Sequence, residues 1–288
     1  MISLDKINKT FKPDVFGPEF VALKNVSFNI PKGKITGFLG ANGAGKTTSM
    51  KIMMEFIKPT SGSVFYNKEL GNGRGEIFNK IGFLPERPYF YPHLSGEDFL
   101  IYMGRLHLLP KNKIKERINK WAPRFKIDFA LKREIKTYSK GMLQRIGFLA
   151  TLIHEPRLII LDEPLSGLDP IGRKELKDVI VEIYKENKTI FFSSHIISDI
   201  EEISQEVIFL KDGELEYSGE INSLLDKHLT SDYIIKTRDV NSGQIHKHII
   251  SEEMKDKKIQ QLIKDNFDIV GLEKNRLNLE EIFYKEGK

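Results

Sequence analysis

The chain has 288 residues, of which 40% are hydrophobic and 30% are charged, an ordinary balance for a globular protein with a sizeable core. This composition excludes disorder along the whole chain, and the lack of cysteine in the sequence excludes disulfides, thiolate catalysis and cysteine-based metal sites. The net charge of +5 has two interpretations, contact with lipid headgroups or nucleic acid, or a solvated lysine-rich surface, and we favour the second because the positive charges are scattered.

No segment has the pattern of a membrane anchor. The first residues, Met1 to Lys6, lack the apolar core of a signal peptide, so we expect none. No uncharged apolar run is long enough to span a bilayer, and the run 158–161 has only the length of a buried strand. If the protein serves a membrane, we expect the spanning part to be another chain.

Short apolar strands alternate with helices along most of the chain. In order, the sequence predicts strands over 21–30 and 34–39, a glycine-rich segment over 40–45, a helix over 47–56, a strand over 81–84, a helical stretch from 95 to about 153, a strand over 158–161, a helix over 171–186, a strand over 189–194 and a hairpin over 206–217. This alternation predicts an α/β fold with a mostly parallel sheet that is buried on both faces. The helical stretch, at about 87–155 with its flanks, is predicted to be inserted between sheet strands.

The composition changes after Gly219. Polar and charged residues become more frequent there, and the spacing of apolar residues becomes irregular. We therefore predict a main domain over residues 1–219 and a small C-terminal appendage over residues 220–288.

A phosphate-binding loop follows the second predicted strand. The pattern G-x-x-x-x-G-K-[ST] is matched by Gly40, Ala41, Asn42, Gly43, Ala44, Gly45, Lys46 and Thr47. Glycines let the backbone N–H groups wrap a polyphosphate, and the positive end of the next helix faces the anion. Lys46 is predicted to reach the β- and γ-phosphates of ATP, Thr47 to bind Mg²⁺, and Thr48 to add a phosphate contact. An ordinary turn is the alternative, but the position between a strand and a helix favours the phosphate loop.

Two carboxylates follow the apolar strand 158–161. In this Walker B arrangement Asp162 is predicted to hold Mg²⁺, directly or through water. Side-chain alternation sends Glu163 in another direction, so it can act as general base on the attacking water. The alternative, a strand that ends in a solvated acidic turn, becomes less attractive once a phosphate loop is present.

Three further motifs identify a family. The segment 138–145, Tyr-Ser-Lys-Gly-Met-Leu-Gln-Arg, resembles the signature motif of ABC ATPases, and 166–169, Ser-Gly-Leu-Asp, resembles their D-loop. His195, at the end of a predicted strand, resembles their switch histidine. With the phosphate loop and Walker B strand, the resemblance covers roughly residues 1–218. It implies a RecA-like P-loop fold with an N-terminal antiparallel β subdomain and an inserted helical subdomain.

The resemblance also implies a mechanism. Two copies, or this chain and a homologous ATPase, would face each other head to tail, with ATP between the phosphate loop of one and the signature of the other. The signature residues that would contact ATP across the interface are Ser139, Lys140, Gly141 and Met142, and Asp169 belongs to the D-loop. His195 would bind the γ-phosphate and position water together with Glu163.

The motifs depart from the usual family pattern. The signature is usually Leu-Ser-Gly-Gly-Gln, whereas this chain has Tyr138, Lys140 and Met142. The form Ser-Lys-Gly-Met, and the tail 278–283, resemble an exporter subfamily paired with drug, sodium or polysaccharide and lipid permeases. Glu86 stands where the family usually has a glutamine that binds Mg²⁺ and senses the permease, and a carboxylate keeps the metal contact.

Two aromatic features complete the sequence-based predictions. The family stacks an aromatic ring on adenine, and Phe11 is the best match, with Phe16 and Phe20 as alternatives. The segment 87–94 is rich in aromatics and corresponds to the groove that receives a permease helix, unless its rings instead pack the helical insertion against the sheet.

The predicted partner is an integral membrane permease, which places the chain at the cytoplasmic face of the membrane. A non-transport ABC ATPase acting on DNA or the ribosome is the alternative, but such proteins usually carry a long coiled coil or a second ATPase copy. We therefore expect no nucleic acid partner. Another P-loop enzyme, such as a kinase, is disfavoured by the signature and the switch histidine.

Overall fold

The computed structural model describes residues 1–12, 17–240 and 242–285, which form two compact units, Met1–Gly219 and Glu220–Lys288. The strands are β1 (Ile2–Phe11), β2 (Phe20–Ile30), β3 (Ile35–Leu39), β4 (Ser61–Tyr66), β5 (Ile81–Leu84), β6 (Leu158–Leu161), β7 (Thr189–Ser194), β8 (Glu206–Lys211), β9 (Glu214–Glu220), β10 (Leu229–Asp239), β11 (Ile245–Ser251) and β12 (Phe267–Arg276). The α-helices are α1 (Lys46–Met53), α2 (Arg74–Phe78), α3 (Gly96–Leu106), α4 (Lys111–Trp121), α5 (Lys140–Leu152), α6 (Pro170–Lys185), α7 (Ile197–Ile203), α8 (Ile221–Lys227), α9 (Lys255–Lys264) and α10 (Leu279–Lys285). Across these ranges, no helix combines the length and the apolar character needed to cross a membrane.

The N-terminal strands form an antiparallel sheet in the order β2-β1-β4. Ile2, Leu4 and Ile7 of β1 are buried in one core, although the step from Leu4 to Ile7 breaks the alternation of a regular strand. The register shifts between these two residues, and Lys6 has φ +49°, so the bulge returns Ile7 to the buried face. The antiparallel N-terminal strands implied by the family resemblance are confirmed.

The central sheet has the strand order β5-β6-β7-β3-β8-β9, and its neighbours from β5 to β8 are parallel. Every residue of β3, β6 and β7 is buried, which is why their sequences are continuously apolar or small. The predicted mostly parallel α/β sheet is confirmed. The predicted hairpin is also present, since β8 and β9 are joined by Asp212 and Gly213, both with positive φ.

Three helices, α3, α4 and α5, lie in the chain between the neighbouring sheet strands β5 and β6. Ile114, Ile118 and Trp121 are the buried residues of α4, at the spacing of one helix face. The Trp121 ring packs edge-on against Phe125, which in turn contacts Phe148 of α5. This aromatic chain gives the insertion a core of its own beside the sheet.

The C-terminal unit has its own antiparallel sheet in the order β11-β10-β12. Helix α9 contacts all three strands. Among the described side chains of this sheet and of α9, the buried ones are Ile235, Thr237 and Leu262. Because few positions of this sheet are buried, its sequence shows an irregular spacing of apolar residues.

Candidate active site

The glycine-rich loop joins the carboxyl end of β3 to the first turn of α1. Gly43 and Gly45 have φ of +85° and +105°, a backbone region that residues with a side chain rarely adopt. A Cβ added at Gly45 would also lie 2.7 Å from the Ala22 carbonyl oxygen. The loop therefore holds its backbone close to β2, and the N-terminus of α1 opens beside it, as a phosphate cradle requires.

Lys46 is a buried cation at the base of this loop. Its Nζ donates hydrogen bonds to the carbonyl oxygens of Gly40 (2.6 Å) and Ala41 (3.2 Å). The same ammonium group lies 3.3 Å from Glu163 Oε1. A buried ammonium needs such partners to offset its desolvation, so Lys46 is fixed in the cleft next to the predicted base.

Asp162 lies below the cleft and is nearly fully buried. Thr47 Oγ1 donates to its Oδ2 (2.8 Å), and Ser193 Oγ donates to its Oδ1 (2.7 Å). Burial raises the pKa of Asp162, the nearby charge of Glu86 raises it further, and the hydrogen bonds from Ser193 and Thr47 oppose that rise. A divalent cation at this position would favour the ionised carboxylate.

Glu163 has φ +50°, an uncommon conformation for a residue other than glycine. Its backbone N–H donates to Ser193 Oγ (2.8 Å). Its Oε2 accepts from His195 Nδ1 (2.9 Å), because an ionised carboxylate can only accept and the imidazole must then carry hydrogen on Nδ1. Glu163 Oε1 is buried and accepts no hydrogen bond from the residues described. Oε1 thus has the Lys46 ammonium 3.3 Å away but no hydrogen bond within the described part of the chain, and it is the acceptor that a water O–H could use.

These residues surround one open cleft of about 350 Å³. Its walls are formed by Phe20, Ala22, Ala41, Asn42, Gly43, Gly45, Lys46, Thr47, Thr48, Glu86, Glu163, Ser166 and His195. The structure thus brings together most of the phosphate loop, Glu86 and the predicted catalytic pair. Three residues of the predicted phosphate loop and Walker B pair do not line the cleft, namely Gly40, Ala44 and Asp162.

The aromatic wall comes from β2. Phe20 lines the cleft, whereas Phe11 does not. The two residues are Cα partners on adjacent strands, and the Phe11 ring has the Lys9 ammonium 4.9 Å from its centre. Phe16 lies outside the described residues.

The signature residues Ser139, Lys140, Gly141 and Met142 lie outside the walls of the cleft. Ser139 caps α5, its hydroxyl accepting from the Met142 N–H. The Lys140 side chain covers the D-loop, since a Cβ added at Gly167 would lie 2.2 Å from its Nζ. Asp169 caps α6 by accepting from the Gly172 N–H at 3.0 Å.

The cleft supplies some, but not all, of the oxygen ligands that a Mg²⁺ ion needs. Thr47, Asp162 and Glu86 offer a hydroxyl and two carboxylates, which are hard ligands of the kind that Mg²⁺ prefers. Within residues 1–12, 17–240 and 242–285, however, no group of three or more His, Cys, Asp or Glu side chains could hold a metal alone. The donor set therefore fits a Mg²⁺ ion that is completed by phosphate oxygens and water.

Ser193, which links the two acidic residues, is a site residue that the sequence motifs do not reveal. It donates to Asp162 and accepts from the Glu163 backbone. The available signal was a pair of serines at the end of β7, directly after the apolar run 190–192 of this buried strand. Ser166 and Ala22, which also line the cleft, carry no comparable signal.

Comparison with known proteins shows the family of the chain. The ABC transporter family model matches residues 23–166, half of the chain. The ABC transporter ATP-binding protein all4389 of Nostoc sp. is 39% identical over 73% of this chain, and the chain spans only 63% of that relative's length. The lantibiotic transport ATP-binding protein SrtF of Streptococcus pyogenes is 39% identical, with 69% of this chain and 86% of SrtF aligned.

Among solved structures, the dimeric MJ0796, a bacterial ABC transporter cassette, matches with a TM-score of 0.68 and 24% identity. The match covers 76% of this chain and 98% of that cassette, and it shows a shared fold. Sequence and fold therefore agree that the chain belongs to the ABC transporter family, as an ATP-binding subunit of the ABC ATPase class.

Proposed function

We propose that the chain hydrolyses ATP and thereby drives transport through a separate membrane permease. The observation that carries this proposal is the arrangement of Glu163. One of its oxygens is occupied by His195, while the other lies beside Lys46 and accepts no hydrogen bond from the residues described. A buried carboxylate held in this way, in a cleft built from a phosphate loop, is suited to take a proton from water that attacks a γ-phosphate.

The residues divide the chemistry between them. Lys46 neutralises negative charge on the β- and γ-phosphates as it builds up in the transition state. Glu163 accepts the proton of the attacking water at Oε1, and His195 fixes the carboxylate through Oε2. Thr47, Asp162 and Glu86 would hold Mg²⁺, which supplies further charge neutralisation at the phosphates. We assign stacking on adenine to Phe20, because it lines the cleft, rather than to Phe11, which is the best match in the sequence.

We further propose that ATP is enclosed by two chains. The signature residues do not line the cleft of their own chain, so we assign them to nucleotide that is held by another subunit. Ser139 stands at the N-terminus of α5, a helix of 13 residues, where unpaired backbone N–H groups favour an anion. The similar cassette MJ0796 is itself dimeric.

Assembly gives the first prediction. Glu163→Gln with Mg²⁺ and ATP is expected to form a stable dimer, because two bound nucleotides bridge the subunits and are not consumed. Light scattering should show the mass rising from one chain, 33.2 kDa, to twice that value only when ATP is added. A chain that stays monomeric at saturating ATP would contradict the homodimer and would favour a heterodimer with a homologous ATPase.

The surface proposed to meet the permease starts beside the cleft. Tyr89 is 80% exposed and packs edge-on against Tyr91, which contacts Tyr102 of α3 with ring centres 5.3 Å apart. Phe90, between them, instead turns towards Phe99 in the helical insertion. Within the segment 87–94, Phe90 therefore packs against the helical insertion, whereas the exposed tyrosines are available to bind a partner.

Coupling gives the second prediction. Tyr89→Ala is expected to leave the ATPase rate of the isolated chain unchanged and to weaken permease binding about tenfold or more, as loss of a central aromatic contact does. Pull-down of the permease and phosphate release measure the two effects. Phe65→Ala, which removes another exposed ring from β4, serves as the control and should alter neither. Loss of intrinsic ATPase activity in Tyr89→Ala would assign this ring to the core instead.

Export is the direction we propose, because the Ser-Lys-Gly-Met signature resembles the exporter subfamily. The similarity to SrtF, whose name denotes lantibiotic transport, is consistent with a transport role. In this arrangement the chain lies at the cytoplasmic face and is held there by the permease. Identifying the membrane protein that copurifies with the chain, and following substrate movement in inside-out vesicles, tests partner and direction together.

A further inference from the structure

The loop between α3 and α4 exposes two leucines. Leu108 has 91% of its surface exposed, and Leu106, in the last turn of α3, has 60% exposed. Leu109, the next residue, is only partly exposed. Two large aliphatic side chains thus lie close together and are poorly covered. The folding of the loop does not explain this exposure, so another reason is needed.

The backbone strengthens this point. Leu108 has φ +58°, and its N–H and that of Leu109 donate to the carbonyl oxygens of Arg105 and Gly104. This is the left-handed position that closes a helix, where glycine or asparagine is favoured and a leucine is disfavoured. Leu108 therefore weakens the helix end and covers no apolar surface, so local stability does not explain its presence.

Positive charge is concentrated beside these leucines. Residues 105–120 contain six basic residues and one acidic residue, a net charge of +5, which equals that of the whole chain; the other residues hold 39 basic and 39 acidic side chains. The excess positive charge of the chain is therefore concentrated in residues 105–120 and is not scattered evenly along the sequence. Three of the six basic residues form ion pairs with acidic residues outside this stretch, namely Lys115 with Glu97, Arg117 with Glu155 and Lys120 with Glu186. Lys111 is exposed and forms no ion pair with any residue that the structure describes.

The remaining cations leave room for an anionic partner. Arg105 donates to the carbonyl oxygen of Leu109, and Lys113 forms an ion pair with Glu116, one turn along the exposed side of α4. Such exposed pairs contribute little and exchange readily with another anion. Arg105, Lys111 and Lys113 therefore surround the leucines with positive charge that is not tightly bound.

The position of Leu106 relates the exposed leucines to the tyrosine surface proposed to meet the permease. Leu106 follows Tyr102 by four residues on α3, so both lie on one side of the helix. Tyr102 belongs to the tyrosine surface assigned to the permease, so this step rests on the proposed function. Since a permease lies in the membrane, the end of α3 that continues this surface is placed to meet the bilayer beside it.

We propose that the α3–α4 loop binds the surface of an anionic lipid bilayer. Leu106 and Leu108 enter the boundary between headgroups and acyl chains, while Arg105, Lys111 and Lys113 lie at the level of the lipid phosphates. A lipid surface fits better than a protein partner because lysine is depleted in protein interfaces but is favoured next to anionic lipids. A single weak contact of this kind acts together with the permease, as a second membrane attachment.

The test uses the full-length chain and lipid vesicles without permease. Vesicles of phosphatidylcholine alone, or with 30% phosphatidylglycerol as a probe of roughly physiological anionic charge, are sedimented with the wild-type chain at low and high salt. We expect binding only to the anionic vesicles, and a decrease with salt. Lys111→Gln with Lys113→Gln should weaken binding at low salt by about fivefold for each charge removed.

Two further variants separate the leucines from folding. Leu108→Asn places a favoured residue at the left-handed position, so its melting temperature should equal or exceed that of wild type while vesicle binding falls. The control, Ile245→Ser with Ile249→Ser, removes two exposed aliphatic residues from β11 and should bind as wild type does.

The outcomes are distinct. Equal binding to neutral vesicles, no binding to anionic vesicles at low salt, or unchanged binding by Leu108→Asn and the lysine variant would overturn the proposal. Binding only to an acidic peptide or to nucleic acid would assign the surface to another partner and would also overturn it. ATP hydrolysis, measured in the same samples, tests the proposed function separately, because none of these residues lies in the cleft.

Discussion

Glu163→Gln is expected to slow phosphate release by about 10²–10⁴-fold while ATP still binds, because a general base typically contributes a factor of this size. The amide keeps the shape of the side chain and can still contact His195 and Lys46, but it cannot take a proton from water. Phosphate release at saturating Mg²⁺ and ATP measures the first effect, and retention of labelled ATP measures the second.

The matched control is Glu216→Gln, the same chemical change at an exposed position of β9. It should hydrolyse ATP at the wild-type rate. A Glu163→Gln variant that hydrolyses ATP as fast as this control would remove Glu163 from the catalytic role. The arrangement of its two oxygens would then be a structural ion pair only.

Lys46→Ala is expected to lower turnover by roughly 10²-fold or more, which is the usual cost of losing one group that stabilises charge in a transition state. The variant removes the buried cation of the phosphate loop, whose Nζ lies 2.6 Å from the Gly40 carbonyl oxygen and 3.3 Å from Glu163 Oε1. Because Lys46 also contacts ground-state ATP, nucleotide affinity should fall as well. Steady-state phosphate release and nucleotide binding are both measured.

Lys51→Ala is the control for this variant, because Lys51 is an exposed lysine on the same helix α1. Its turnover and ATP affinity should equal those of wild type, which separates loss of the cleft cation from a general loss of charge or of helix stability. Activity of Lys46→Ala within threefold of this control would contradict the role assigned to the phosphate loop.

The central sheet could be predicted because its physical environment leaves a continuous signal. Strands β3, β6 and β7 are buried on both faces, so their sequences are unbroken apolar or small runs, and each is followed by a functional residue at the same sheet edge. The phosphate loop was predictable for a related reason, since the positive φ of Gly43 and Gly45 requires glycine at fixed spacing.

Side-chain partnerships within the site were not predictable in this way. Ser193 contacts both Asp162 and the Glu163 backbone only because β6 and β7 are neighbours in the sheet, and sheet order is not written in local sequence. Phe11 and Phe20 are partners across two strands, so the choice of the ring that faces the cleft depends on register and bulges.

The C-terminal sheet left the weakest signal. Strand β11 alternates between exposed and partly exposed residues, without one that is fully buried. Such a strand carries no strong apolar alternation, because neither of its faces holds a fully buried residue. The exposed Leu108 shows the opposite case, in which an apolar residue marks a surface rather than a core.

The central claim, that each ATP is hydrolysed between two chains, is tested most directly by mixing two inactive variants. Lys46→Ala lacks a working phosphate loop, and Ser139→Arg lacks a working signature, so neither should hydrolyse ATP alone. In an equal mixture half of the dimers are mixed, and each mixed dimer holds one intact site, so phosphate release should recover to about a quarter of the wild-type rate. A mixture that stays as inactive as its two components, although light scattering shows that it dimerises, would contradict a site shared between chains.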